Sequence, residues 1–523
     1  MKRNLQHTME DISRFVFSLR RLLLVMTAWL SGSHAVLRTT LFLWLCRLPF
    51  LVLYFPGSFA FPDTEGSVQH YFGYADLTTV LCGADPAHPL DNHHPILYTF
   101  LYGGTIELGN ALGSQNAAVF LFLLLQSLLH SWLLALAIDW LRRHRGTKGW
   151  LTAVYALCPF FGMWTTLWLK DSFYALCTTA LMVCLLHWTS RISREGDARG
   201  VSVKMWLVTV AVMLLFMASK NQCIYIILLT LCVLPFLFGR RSARLWVCGA
   251  VATLLFALFL HLLPTWGVAP SGRQEKLGVL FQQTARYVHD HPEEVTDAER
   301  KAIDAVLPFD SLATAYQPAL QDPVKFMYRR DCTAEQRNAY YAVWWEMAKK
   351  HPSAYVAAVW DCCDAYFYPS GRYPLFCVAH SWSPDVPNLF HLQAAFPNAP
   401  CGMAAFASLP LVGWMADMGF YVLLFLSFFF WALWKRDRAA LLVAQPCLWA
   451  AAVLWVLPPT ESSAMCYPFF GIFRSLLPSF SQNLLAPRHR HNTVMKPSCA
   501  VRKRRDCQTF VKCPSCRCHM AVR

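Results

Sequence analysis

Residues 54–74, YFPGSFAFPDTEGSVQHYFGY, follow directly on an unbroken apolar run and display Asp63, Glu65, Gln69 and His70 among aromatics. Carboxylates, imidazoles and amines are the side chains that move protons and hold charge. Four further stretches carry the same types: LDNHHPILYTFLYGG (90–104) with Asp91, His93 and His94, LWLKDSFYAL (167–176) with Lys170 and Asp171, SKNQCIY (219–225), and PPTESSAMCYPFFGIFR (458–474) with Glu461. Each has a plain structural counterpart. Lys170 and Asp171 read as an interfacial anchor and a helix cap, the histidines as solvated turn residues before Pro95, and Glu461 as the cap of a final helix. Whether they form a site depends on which surface they share.

Composition sets the surroundings. Of 523 residues 56% are hydrophobic and 15% charged, with a mean hydropathy of +0.34. A soluble domain is about a quarter charged. Apolar windows of a length that crosses about 30 Å of hydrocarbon recur near 37–56, 117–138, 149–169, 172–189, 205–219, 223–239, 245–264, 408–434, 440–458 and 465–480. The expected fold is therefore an all-α polytopic membrane protein with about ten transmembrane helices, in the cell membrane.

Cations orient it. Lys and Arg near span ends stay on the cytoplasmic side. RRHRGTK (142–148), SRISREGDARGVSVK (190–204), GRRSAR (239–244), KRDR (435–438) and the C-terminal tail fall between alternate spans. Both termini are then expected in the cytoplasm, and 57–116, 170–172, 219–222, 265–407 and 459–464 face outward. Every polar cluster above lies on that outward side. Few ionisable residues fall at mid-membrane depth, where a proton or ion path would need them; His130 and His187 are the evident ones. The pattern favours a surface site.

The organisation is asymmetric. Residues 1–36 read as a cytoplasmic or interfacial N-terminus, with 19–35 an uncleaved interfacial helix setting Arg14, Arg20 and Arg21 on anionic headgroups. An N-terminal transmembrane module (37–264) includes the first outward loop, 57–116. A helical extracytoplasmic domain (265–407) follows, with helices expected over 271–291 and over 333–368, the second broken at Pro352. The C-terminal transmembrane helices occupy 408–480 and a basic, Cys-rich cytoplasmic tail 481–523. No internal repeat is evident, against an inverted-repeat transporter.

The net charge of +15 does not point to nucleic acid, because ten Lys/Arg against Asp506 alone lie beyond residue 484. A juxtamembrane cationic tail is a topology and anionic-lipid signal. Of the 20 cysteines nine lie in apolar spans, where Cys acts as a small hydrophobe; Cys82, Cys332, Cys362, Cys363, Cys377 and Cys401 lie outward, where pairing is open to them. The tail's CPSCRCH (513–519) has one CxxC, and zinc sites normally use two such pairs.

The outward Asp soon after the first span, the long first loop and the large late outward domain resemble the GT-C superfamily of lipid-phosphate-sugar glycosyltransferases. FPGSFAFPDTEGSVQ, HHPILYTFLYG and LKDSF are similar to an uncharacterised bacterial family near the protein mannosyltransferases. The likeness covers roughly 38–480 in layout and excludes the tail; ESSAMCYP lacks the Arg expected before the Tyr-Pro of that family. It implies a GT-C-like fold and an inverting transfer of a sugar from a polyprenyl-phosphate donor, a lipid-linked partner held among membrane lipids, to an extracytoplasmic acceptor. In that reading Asp63, near the headgroup plane and solvent-exposed, is the general base, and Lys170 with His93 or His94 binds the donor phosphate. Asp91, Asp171, Gln69 and Glu461 are supporting residues. Asp171 either orients Lys170 or shares Mg²⁺ or Mn²⁺ with Asp63; no metal site is assigned. The rival readings are a transporter or flippase of lipid-linked glycan and a non-catalytic envelope assembly protein.

The orientation is testable. In a variant freed of native cysteines, a single thiol at position 83 or 300 should react with an impermeant reagent from outside intact cells, whereas one at 195 should not. Labelling at 195 from outside would reverse the assignment of every polar cluster.

Overall fold

The computed structural model describes residues 33–58, 63–74, 90–145, 150–194, 202–367, 389–396, 413 and 418–456. Among these the chain is helical, with isolated β-bridges and no extended strand. Four stretches are long and apolar enough to cross a membrane: Ala35–Leu53, Gln115–Arg145, Lys170–Ile192 and Cys223–Trp266. Shorter apolar helices cover Val203–Ser219, Gly419–Trp434 and Arg438–Val453. The expected span at 465–480, Glu461 and the Cys-rich tail lie outside the described residues.

The first stretch is α1 (Ala35–Leu53), which packs on α4 (Gln115–Arg145). Between them lie α2 (Asp63–Tyr71) and α3 (Ile96–Ala111), two helices too short or too polar to span, packed on each other. The span expected at 149–169 takes a different form. Pro159 follows Cys158 and cannot donate a backbone hydrogen bond, so the segment divides into α5 (Trp150–Leu157) and α6 (Pro159–Trp164). It then leaves helix altogether: Thr165 and Thr166 turn their hydroxyls back onto the carbonyls of Gly162 and Met163, at 2.7 and 2.6 Å.

α7 (Lys170–Arg194) is the central element; 83% of its most apolar window is buried, against 28% for α1. α8 (Val203–Ser219) packs against it. α9 (Cys223–Phe238) and α10 (Ala243–Leu262) form a hairpin turned at Gly239, whose φ of 58° suits a residue without Cβ. Gly249 lets α10 close on Leu231 of α9; a Cβ there would sit 2.5 Å from the leucine Cδ2. α17 (Met418–Trp434) and α18 (Arg438–Val456) complete this layer, and one apolar core runs through Trp164, Trp188, Phe216, Ile227, Phe256, Val422 and Leu442.

The intervening polar helices have their own core, built on Phe281, Tyr287, Leu307, Tyr340 and Met347. They are α11 (Arg273–Asp290), α12 (Asp297–Asp304), α13 (Phe309–Ala315), α14 (Asp322–Lys325), α15 (Ala334–Lys350) and α16 (Pro352–Phe367). Thr296 and Thr333 open α12 and α15 with full capping boxes, satisfying N-terminal amides that would otherwise lack partners. The break expected at Pro352 is present. Cys332, Cys362 and Cys363 form no disulfide with one another; Cys82, Cys377 and Cys401 lie outside the described residues.

One expectation about the spans is corrected. His130 and His187 are not the only ionisable residues at depth, because Arg47 is buried within α1. Its Nη1 donates to the Ser131 hydroxyl at 2.9 Å and to the Ser127 carbonyl at 3.4 Å, holding α1 to α4. A guanidinium inside a span is costly unless it finds such acceptors.

Gly103 of α3 fixes where α2 rests. A Cβ at this position would fall 2.1 Å from Cγ and 2.2 Å from Cβ of Tyr71, whose hydroxyl donates to the Glu107 carboxylate. These are the root atoms of the side chain and cannot swing clear. Gly103→Ala should therefore lower stability by about 1–3 kcal/mol, the usual cost of overpacking, read as a fall in the unfolding midpoint of purified protein. An unchanged midpoint would show that α2 is not seated on α3 as described.

Candidate functional site

Asp63 opens α2 and Lys170 opens α7, and the backbone before each explains why they meet. Ser58 pairs with the non-helical stretch that follows α6: its N–H donates to the Thr166 carbonyl at 2.7 Å, and Trp168 N–H returns to the Ser58 carbonyl at 2.8 Å. Thr64 then donates its hydroxyl to the Trp168 carbonyl at 2.7 Å. The start of α2 is thus tied beside the start of α7. Gly57 permits the approach, since a Cβ there would lie 2.5 Å from a Leu123 methyl.

The result is a close three-residue cluster. Lys170 Nζ lies 2.5 Å from Asp63 Oδ2, His94 Nε2 lies 3.6 Å from Asp63 Oδ1, and Lys170 Nζ lies 3.1 Å from His94 Nδ1. An ammonium only donates, so His94 Nδ1 accepts and the imidazole proton sits on Nε2, facing Asp63. The expectation that Asp63 is solvent-exposed is corrected: the residue is 3% exposed, with Lys170 and His94 against its carboxylate.

Tyr98, fully buried on α3, draws three segments together through one hydroxyl, which faces the Lys170 carbonyl at 2.9 Å and the Ser219 carbonyl at 2.8 Å. The turn after Ser219 contributes Lys220, whose Nζ meets Asp171 Oδ1 at 2.7 Å. Burial pushes the Lys220 ammonium below the ordinary lysine range, and Asp171 opposes that shift. Asp171 therefore has its own lysine partner. Asn221 donates to the carbonyls of Asn92 and His93, both at 3.3 Å, clasping the histidine loop to this turn.

The histidine loop is also held from the polar helices. Asn92 N–H donates to the Ala269 carbonyl at 2.9 Å and Ala269 N–H to the Leu90 carbonyl at 2.8 Å, while Asp91 Oδ1 accepts the His93 N–H at 2.9 Å. Asp91 thus shapes the loop. His93 Nδ1 faces Glu275 at 3.8 Å, Glu275 pairs with Lys325 at 3.1 Å, and Lys325 pairs with Asp322 at 2.8 Å. Burial first, then His94, Lys325 and Lys170, hold the His93 imidazole down to about 3, outweighing Glu275. It is neutral at ordinary pH and offers hydrogen bonds without charge. Burial raises the Asp322 carboxyl in spite of Lys325.

Of the residues singled out in the sequence, the structure brings together Asp63, His94 and Lys170, with Asp171 and His93 adjoining. Gln69 turns to Glu65, one helical turn away, at 3.1 Å. Glu461 lies outside the described residues. Lys220, Glu275, Asp322 and Lys325 belong to the same run of charges and were not singled out. Lys220 had a signal, as a lysine in a short turn between apolar helices; the others lie in polar helices where charge is ordinary. The carboxylates of Asp63 and Asp171 each hold an ammonium, so the residues present do not suit a divalent cation shared between them.

Removing one partner from a buried ion pair strands the other charge and costs about 3–5 kcal/mol. Lys170→Ala should therefore destabilise the protein strongly, and Asp63→Asn much less, because the amide oxygen still accepts from Lys170. Chemical unfolding of both variants in detergent tests this. Equal stability of Lys170→Ala and wild type would mean the pair is not closed as described.

The chain belongs to a family of unknown function, DUF6020, whose model matches residues 80–493. No curated protein and no solved structure matches it.

Proposed function

We propose that this member of DUF6020 is a membrane glycosyltransferase that moves a sugar from a polyprenyl-phosphate donor to an acceptor hydroxyl at the outer face of the membrane. The observation that carries the reading is the enclosed Asp63–Lys170–His94 cluster, set where α2 and the apolar helix α7 both begin. The motif likeness to the GT-C superfamily supports it. A donor of this kind keeps its tail in the bilayer and its head at such a helix end.

The chemistry follows from an exchange of partners. A donor phosphate reaching Lys170 competes with Asp63 for the ammonium, since both are anionic acceptors of charge-assisted hydrogen bonds. Asp63, relieved of its close cation, then accepts the acceptor's hydroxyl proton. The acceptor oxygen bonds to the anomeric carbon from the side opposite the phosphate, and the bond from that carbon to the phosphate oxygen breaks. The phosphate leaves with the bonding pair, stabilised by Lys170. Configuration inverts. His93, neutral, and His94 supply orienting hydrogen bonds.

The test is transfer by purified protein with a panel of polyprenyl-phosphate sugars. Asp63→Asn should lower the rate by about 10²–10⁴, the usual worth of a general base, while donor binding and helical content persist. Full activity in Asp63→Asn would remove Asp63 as the base. No transfer from any donor, with donor nonetheless bound and moved across vesicles, would favour the flippase reading.

A further inference from the structure

A second constellation lies away from that cluster, where α11 and α15 end. Each helix is followed by a histidine and then a proline: His291-Pro292 and His351-Pro352. The two histidines have the same φ of −132°, and each closes the last turn of its helix, His291 N–H onto the Tyr287 carbonyl at 2.9 Å and His351 N–H onto the Met347 carbonyl at 3.0 Å. Their backbones are thereby fixed. The rings stack at 3.7 Å between centroids, inclined by 16°, with Tyr287 about equally far from both, at 5.9 and 5.7 Å.

The tight turn Pro292–Glu294 folds a carboxylate back to the same point, its Glu294 N–H bonding the His291 carbonyl at 3.1 Å. Glu294 Oε2 lies 2.8 Å from His351 Nε2, and Oε1 lies 3.9 Å from His291 Nδ1. One ligand atom from each of the three residues falls within 4.8 Å of the others. We propose that His291, Glu294 and His351 form a zinc site that pins the end of α11 to the end of α15.

Two imidazoles and a carboxylate are a known donor set for Zn²⁺, and three protein ligands leave a fourth position for water. Imidazole nitrogen also suits Co²⁺, a useful reporter, whereas Mg²⁺ and Ca²⁺ prefer all-oxygen sites. The stacked rings set a condition. An ion about 2.0–2.1 Å from a ring nitrogen lies in that ring's plane, and two parallel planes cannot share one ion. Binding therefore turns one ring about its Cβ–Cγ bond. His291 is the ring free to do so: its side chain is 30% exposed and its nitrogen stands beyond hydrogen-bond distance of Glu294, whereas His351 is already held. Nearby Lys350 is neutralised by Glu299, at 2.6 Å, so its charge does not oppose an ion.

The experiment uses full-length protein, stripped of metal by chelation and titrated with Co²⁺ and then Zn²⁺. Thiolate ligands from the cysteine-rich tail would announce themselves by sulfur-to-cobalt charge-transfer absorption, which a nitrogen and oxygen site lacks. Wild type should bind one equivalent without that absorption, displaced by Zn²⁺, and Zn²⁺ should raise the unfolding midpoint as any ligand of the folded state does. His291→Ala and His351→Ala should each lose that equivalent while the charge-transfer absorption and helical content stay unchanged. Glu294→Gln keeps an acceptor for His351 but removes the anionic ligand. Losses outside the ligand shell alone cost about 10–100-fold in affinity, so this variant should weaken binding by at least about tenfold. The same number of equivalents in wild type and both histidine variants, or undiminished affinity in Glu294→Gln, would overturn the site.

Discussion

The arrangement of the described chain turns on the enclosed ion pair of Asp63 and Lys170. Taking an ammonium and a carboxylate out of water costs several kcal/mol for each ion, and their attraction offsets this only when the contact is close and the remaining donors and acceptors are met. Both conditions constrain the backbone. The 2.5 Å contact requires α2 and α7 to begin at the same place, which the Ser58–Thr166 pairing and the Thr64–Trp168 bond bring about. Lys170 also stands at a helix N-terminus, where the macrodipole disfavours a cation. Asp63 and Asp171, the residue that follows Lys170, counter that field.

The same logic propagates outward. Asp171, wholly buried, brings in Lys220 from the end of α8. Lys220 fixes the turn at 219–222, and Asn221 from that turn holds the histidine loop. The loop sets His93 against Glu275, and Glu275 engages Lys325 in the polar helices. The pairs Asp63–Lys170, Asp171–Lys220 and Glu275–Lys325 each join different elements, and the His93–Glu275 contact links the loop before α3 to the polar helices.

Much of this was legible in the sequence, for a reason that also marks its limit. Hydropathy is a property of single segments, so the apolar helices and the break at Pro352 could be read without knowing their neighbours. Segment 149–169 misled because composition counted Pro159 as one residue in an apolar run, whereas in three dimensions it ends a helix and releases the strip that pairs with Ser58. Asp63, His94 and Lys170 stood out as polar residues of segments expected on one side of the membrane. That they touch, and that Asp63 is enclosed, depends on contacts between segments far apart in the chain, which no local pattern encodes. Lys325 was invisible for the same reason: in a polar helix a lysine is unremarkable until its neighbours are known.

The tautomer of His94 sharpens the division of labour under the transferase reading. Lys170 donates to Nδ1, so the imidazole proton already lies on Nε2 and points to Asp63. In that state His94 can orient the carboxylate but cannot take a proton from it. Once Lys170 turns to a donor phosphate it no longer fixes that tautomer, and moving the ring proton from Nε2 to Nδ1 lets Nε2 accept a proton from Asp63. The Asp171–Lys220 pair is more deeply enclosed, with Asp171 at 0% exposure. Two lysine–carboxylate pairs on neighbouring turns thus differ in kind. The pair at Asp171 ties the start of α7 to the turn after α8, and under the transferase reading the pair at Asp63, with His94 beside it, is the one that exchanges partners.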